Sequence, residues 1–304
     1  MTTSSVRTAL VLAGGGSFGA VQVGMLKALS GAGLAADMVV GTSVGAINGA
    51  YFAGNPTPDG AAGLEAIWRA LRRHDIFPIT WWTLLGFARR RNFLVSSEGV
   101  RRLAETRLPY RRLEEARLPM HVVATDILSG DCTVLSEGSA ADALVASTAI
   151  PAAFAPLELA GSYLADGAIT SNTPVRVAVS LGATRLIVLP TGYACALDAP
   201  LPGAVASALH ALTLLIARQL TAELESLPST IDYAIVPTLC PLRGSPYDFS
   251  QVGTLIDASE AGTRQWLAAG GLSTRSIPNA LKAHKHHKGN AREVIGVQKS
   301  ERCS

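Results

Sequence analysis

An α/β fold, a mainly parallel sheet with helices over both faces, is predicted by three observations. A short β-rich apolar run, Thr8 to Ala13, ends in Gly14-Gly15-Gly16 and passes at once into a helical pattern. A second apolar run, Asp37 to Val40, ends in Gly41-Thr42-Ser43-Val44-Gly45 and again passes into a helix. Strand and helix then alternate once more over Val175 to Leu189. Strand–turn–helix units repeated in this way lay successive strands side by side in parallel and place the connecting helices on the sheet faces.

The first helical pattern runs from Ser17 to Leu29, with Val21, Met25, Leu26 and Leu29 on one face and Gly31 or Gly33 as the stop. The helix after the second turn continues to about Ala53. Pro56 to Leu118 is mostly helical by pattern, Arg-rich and without a strong strand. Within it, Trp81-Trp82 followed by Arg89-Arg90-Arg91 suits a membrane interface or a lid over an apolar site. A buried helix with an exposed basic end fits these residues equally well. Met120 to Thr125 is a strand, with Cys132 to Leu135 its antiparallel neighbour across Ser129-Gly130-Asp131. Ala140 to Ser147 is a helix stopped near Pro151, and Tyr163-Leu164-Ala165 leads into Asp166-Gly167-Ala168. Gly203 to Leu227 is read as a long core helix, Ile231 to Val236 as a strand and Leu255 to Ala269 as a late helix. Residues 1–278 form the folded unit. The Lys/His-rich segment 279–304 has almost no apolar periodicity and is expected to be a disordered basic tail.

Composition narrows the function classes. From Ala280 onward there are six Lys/Arg and two Glu, while the remainder carries 20 basic and 21 acidic side chains. A neutral body with a short basic tail does not support a nucleic-acid-binding domain. The four cysteines, Cys132, Cys195, Cys240 and Cys303, form neither a Cys-x-x-Cys pair nor a metal-ligand spacing, which points to a reduced, cytosolic protein and no metal. No uninterrupted apolar stretch reaches the roughly 20 residues that span a bilayer, and the N-terminal apolar run is too short for a secretory signal.

Gly41-Thr42-Ser43-Val44-Gly45 has the sequence form of a nucleophile elbow, in which a strand turns sharply into a helix and lifts a serine out of the bend. Both flanking glycines are needed because a Cβ at either position would strike the neighbouring strand or helix. The turn places Ser43 at a helix N-terminus, where free N–H groups favour a developing anion. A glycine-rich structural turn has the same form. Gly14-Gly15-Gly16-Ser17-Phe18-Gly19 also fits the dinucleotide fingerprint, which needs an acid at the carboxyl end of the second strand. Here the nearby acid, Asp37, begins that strand and Ser43 ends it. The two turns instead work together. Adjacent parallel strands end at one sheet edge, so the Gly14, Gly15 and Gly16 N–H groups can join that of Val44 in an oxyanion hole. None of the six histidines stands in a catalytic-looking turn, whereas Asp166 does, and an aspartate within about 3 Å of the serine can take its proton. Partial desolvation would raise its pKa and make it a better base.

These three motifs, in this order, resemble those of the patatin-like phospholipase family. Thr125-Asp126 with Ser129-Gly130, and Ala146-Ser147-Thr148-Ala149-Ile150-Pro151, are similar to its bacterial members. The resemblance covers roughly Thr8 to Leu189. It implies a three-layer α/β/α fold and a Ser43–Asp166 dyad that hydrolyses acyl esters of phospholipid or lysophospholipid without calcium or cofactor. Ser43 would be the nucleophile and Asp166 base and then acid. Gly14, Gly15 and Gly16 would hold the oxyanion, and Gly19, Gly41, Gly45 and Gly167 would support the motifs. Phe18 stands where the family often carries Arg or Lys, so a neutral-lipid or short-chain carboxylesterase is the alternative. A Ser–His acyltransferase is disfavoured by Thr42 before the serine. Peripheral membrane contact is expected through Trp81, Trp82 and the basic tail.

Overall fold

The computed structural model describes residues 6–76, 96–151, 153–192, 203–240, 242, 245–273, 275–278 and 281. Trp81, Trp82, the Arg89–Arg91 cluster and the basic tail beyond residue 281 lie outside the described residues. The chain runs β1 (Thr8–Leu12), α1 (Gly19–Gly31), β2 (Met38–Thr42), α2 (Val44–Gly54), α3 (Pro58–Ala70), α4 (Arg73–Ile76) and α5 (Glu98–Arg107). It continues through β3 (Met120–Asp126), β4 (Cys132–Leu135), α6 (Ala140–Ser147), β5 (Leu157–Leu159), β6 (Ser162–Asp166), α7 (Ala168–Ser171) and α8 (Val175–Ser180). Then come β7 (Arg185–Leu189), α9 (Ala204–Glu225), β8 (Asp232–Ile235) and α10 (Val252–Ala268).

The sheet order is β5-β6-β3-β2-β1-β7-β8, with β4 also pairing with β3. β3, β2, β1, β7 and β8 are mutually parallel, and β4, β5 and β6 add antiparallel pairs at one side. Alternation along the buried strands explains the layers. Leu10 and Leu12 of β1, Val39 of β2 and Ile187 and Leu189 of β7 join one core, beneath α1, α2, α3 and α6. Ala9, Val11, Met38, Val40, Leu186 and Val188 point the other way, onto α8 and α9. Strands apolar at every position are what two covered faces require. The α3 start is equally local in origin: Thr57 accepts from Gly60 N–H at 3.1 Å, and Pro58 occupies the first turn, where no N–H is needed.

The structure departs from the sequence expectation in two elements. β5 is three residues long and carried no periodicity to read. α9 was expected to be a core helix throughout. Leu220 and Leu224 in its later turns are buried, but Leu212, Leu214 and Leu215 near its middle are exposed. Apolar character alone does not separate these leucines: Leu220 and Leu224 join the core against the sheet, and the three exposed ones do not.

Candidate active site

The elbow forms because β2 has no room to end differently. Ser43 sits at φ 54°, ψ −125° and caps α2, and the only other non-glycine described residue at positive φ is Ala160. Such a conformation costs on the order of 1–3 kcal/mol and persists only where the surroundings enforce it. Here the enforcement is close packing of backbone on backbone. A Cβ on Gly45 would lie 2.4 Å from the Leu12 carbonyl oxygen, and one on Gly41 would lie 2.6 Å from that of Gly45. Gly19 and Gly167 likewise leave no space, with Val44 Cγ2 at 2.4 Å and Val123 O at 2.3 Å from a built Cβ.

β3 brings the second half of the site to the first. β4 pairs with residues 122–125 on one edge of β3, so β2 and β6 must share the other edge. Thr42, the last residue of β2, lies opposite Val123, and Asp166, the last of β6, lies opposite the next residue, Ala124. Ser43 and Asp166 therefore meet end to end. Ser43 Oγ donates to Asp166 Oδ2 at 2.7 Å, while Asp166 Oδ1 accepts the Ala168 N–H at 2.8 Å. Asp166 is 4% exposed and Ser43 8%. Burial pushes the Asp166 carboxyl up to about 6, against the smaller opposing pull of the Ala168 and Ser43 donors. Ser147 holds the elbow from beneath: its Oγ accepts the Ser43 N–H at 2.8 Å and donates to Val123 O at 2.6 Å.

None of the histidines in the described residues hydrogen-bonds to this pair. His121 lies on β3 opposite Val40, two places before Thr42 reaches Val123, and its Nδ1 is within 2.7 Å of Ser136 Oγ. Its pKa is lowered by burial and by Arg7, which precedes the start of β1 at the opposite sheet edge. His74 is exposed beside Asp75.

The glycine-rich loop follows β1 at the same edge as Ser43. One of the four donors named from the sequence needs correction. The Gly14 N–H donates to Asn172 O at 3.0 Å, and Gly14 O accepts from Thr191 Oγ1 at 2.7 Å, so Gly14 anchors the loop and its N–H is already engaged. No described residue accepts from the N–H groups of Gly15, Gly16 or Val44. Asn172 and Thr191 were invisible to the sequence reading as site residues. The usable signal was topological: Thr191 follows β7 and Asn172 follows α7, and groups just past the carboxyl ends of neighbouring strands converge on one crevice.

An apolar cleft reaches Ser43. Gly16, Ser43 and Val44 line it together with Ile47, Leu64, Trp68, Leu144, Phe154 and Phe249. Phe18 packs against the core on the α1 side, so the loop carries no cation at that position. Among the described residues, no three His, Cys, Asp or Glu side chains are placed to hold a metal ion.

Residues 10–179 match the family model for patatin-like phospholipase. Over 186 residues the chain is 31% identical to the mouse patatin-like phospholipase domain-containing protein 7, covering 60% of this chain and 13% of that protein. It is 32% identical over 180 residues to an uncharacterized NTE family protein of Mycobacterium bovis, covering 57% of this chain and 46% of the relative. The chain thus spans only a small part of the mammalian relatives it matches. Among solved structures, VipD from Legionella pneumophila aligns at a TM-score of 0.44 and 16% identity, over 88% of this chain and 67% of that one.

Proposed function

Because this chain belongs to the patatin-like phospholipase family, we propose that it hydrolyses acyl esters of lipids with Ser43 as nucleophile and Asp166 as its base. The observation that carries the proposal is the 2.7 Å hydrogen bond from Ser43 Oγ, which lines an apolar cleft, to a buried carboxylate. Asp166 Oδ2 takes the hydroxyl proton as Oγ bonds to the acyl carbon. The negative charge that develops on the carbonyl oxygen faces the N–H groups of Gly15, Gly16 and Val44. The protonated Asp166 then gives its proton to the departing alcohol oxygen, leaving an acyl–Ser43 ester. A water molecule reverses the sequence: Asp166 takes its proton, its oxygen attacks the acyl carbon, and the carboxylic acid leaves as Ser43 recovers its proton. A carboxyl near pKa 6 is a stronger base than an ordinary aspartate, yet is ionised at pH 7. Charge is stabilised throughout by N–H dipoles, each worth about 10²–10³ in rate, so the reading assigns no step to calcium.

The nearly all-apolar cleft supports an acyl chain as the bound group. Exposed apolar side chains flank the same sheet edge: Ile127 and Leu128 directly after β3, and Ile169 three residues past Asp166. They support access to substrate from a lipid surface, the role also proposed for Trp81, Trp82 and the basic tail. No helix of the described residues is long and apolar enough to cross a membrane. The apolar Phe18, packed against the core where the family often carries a cation, favours a second reading, a carboxylesterase for neutral lipids or short-chain esters.

The test is incubation of the pure chain with mixed vesicles of phosphatidylcholine, phosphatidylglycerol, lysophosphatidylcholine and triacylglycerol, followed by mass spectrometry of released fatty acid. Release from a phospholipid or lysophospholipid, undiminished by EDTA and absent in Ser43→Ala, is the expected result. Release from triacylglycerol or a soluble ester alone would move the assignment to the carboxylesterase.

A further inference from the structure

Gln22 on α1 and Asn48 on α2 are both 0% exposed, and neither touches the dyad. Their amides nevertheless form a continuous chain. Gln22 Nε2 donates to Ala13 O at 2.8 Å and to Leu189 O at 2.9 Å. Asn48 Nδ2 donates to Gln22 Oε1 and to Gly19 O, each at 3.0 Å. Asn48 Oδ1 accepts from Trp68 Nε1 at 2.8 Å. Every amide donor is used, a condition under which a buried polar network rigidifies its surroundings.

What the network joins is informative. Ala13 and Gly19 are the two ends of the glycine-rich loop, so the amides hold both of its anchors. Trp68 is a wall of the apolar cleft and stacks on a second wall residue, Phe249, with ring centroids 6.2 Å apart and planes 18° from parallel. One end of the chain thus reads the contents of the cleft, and the other fixes the backbone that carries the Gly15 and Gly16 N–H groups.

We propose that Asn48 and Gln22 are positioning residues that couple the acyl cleft to the oxyanion loop, so that acyl-chain length sets kcat as well as KM. The proposal rests on the acyl-hydrolase reading. A long chain packed against Trp68 fixes the indole, and through Asn48 and Gln22 the loop, before charge develops. An acetyl group leaves the cleft unfilled and does not. Binding energy from the unreactive part of the substrate is thereby used at the reacting centre.

The test compares kcat and KM for p-nitrophenyl acetate and p-nitrophenyl decanoate in the wild type and in Trp68→Phe, which keeps an aromatic wall and removes the indole N–H. The wild type is expected to turn over the decanoate with the higher kcat. Trp68→Phe should lower the decanoate kcat about tenfold, the scale of one hydrogen bond, and the acetate kcat by a clearly smaller factor, so that the decanoate-to-acetate kcat ratio falls. Asn48→Ala, which releases Gly19 O directly, should lower kcat for both esters. A decanoate-to-acetate kcat ratio that is unchanged in Trp68→Phe, or equal losses on both esters, would overturn the coupling while leaving the acyl-hydrolase reading intact. A wild type that cleaves neither ester, or a Ser43→Ala variant that cleaves both, would overturn both.

Discussion

Ser43→Ala and Asp166→Asn are each expected to reduce kcat for ester hydrolysis by roughly 10⁴-fold, and the double variant by little more than either alone. Ser43 supplies the bond to the acyl carbon, and nothing beside it can. Val44 and Thr42 carry no nucleophile toward the cleft, and Ser147 has its hydroxyl between Ser43 N and Val123 O. Asp166→Asn keeps the size of the side chain and an acceptor for the Ala168 N–H, but places a group that cannot take a proton against Ser43 Oγ. Both losses fall on one proton transfer, so they are not additive. Steady-state kinetics on a soluble ester, with circular dichroism of each variant, checks this. A Ser43→Ala/Asp166→Asn double variant worse than the singles by the product of their losses would mean that the two residues act in separate steps.

Asp166→Asn and Ser43→Gly are both expected to stabilise the fold at neutral pH. Asp166 has its folded pKa raised from 3.8 to about 6 by burial. The folded state therefore holds the proton more tightly than the unfolded chain. The stabilising contribution of this group is complete below pH 4 and is lost as pH rises through 6. A shift of this size is worth about 3 kcal/mol above pH 7 as an upper figure. Asp166→Asn removes that penalty, so its thermal midpoint should exceed that of the wild type at pH 8 and converge with it near pH 4. Ser43→Gly relieves the positive φ and should add about 1 kcal/mol at every pH. In the active wild type, kcat/KM should rise with pH with a midpoint near 6, since only ionised Asp166 accepts the serine proton. A lower midpoint temperature for Asp166→Asn at pH 8 would mean that the buried carboxylate is fully compensated and carries no penalty. Active sites commonly hold stability in reserve in this way.

Much of this was legible in sequence because it is local. Thr8 to Leu12 and Met38 to Thr42 are apolar at nearly every position, and each ends in glycines that only a tight turn or a close backbone approach requires. Asp166-Gly167 could be read as a turn without knowing what it faced. Its meeting with Ser43 depends on β3 pairing with β2 and then with β6 along one edge, a register no local pattern encodes. The Gly14 donor was misjudged for a related reason. A glycine N–H looks free in sequence, and here its acceptor, Asn172 O, arrives from far along the chain. Gln22 and Asn48 read as ordinary polar positions in helical patterns, because their carbonyl partners at Ala13, Gly19 and Leu189 are defined only by the packing of α1 and α2 on the sheet. Leu212, Leu214 and Leu215 differ in the opposite sense: their apolar character predicts core, yet they are exposed while Leu220 and Leu224 of the same helix are buried.

Acylation of Ser43 in turnover, with Asp166 as its base, is the step on which the proposed hydrolysis depends. Labelling with a long-chain alkyl fluorophosphonate, followed by peptide mass mapping, addresses it directly. The account predicts one adduct per chain, on Ser43, forming at a rate that rises with pH about a midpoint near 6 and that collapses in Asp166→Asn. Inhibition with the adduct on any other residue, or labelling of Ser43 at an undiminished rate in Asp166→Asn, would contradict it.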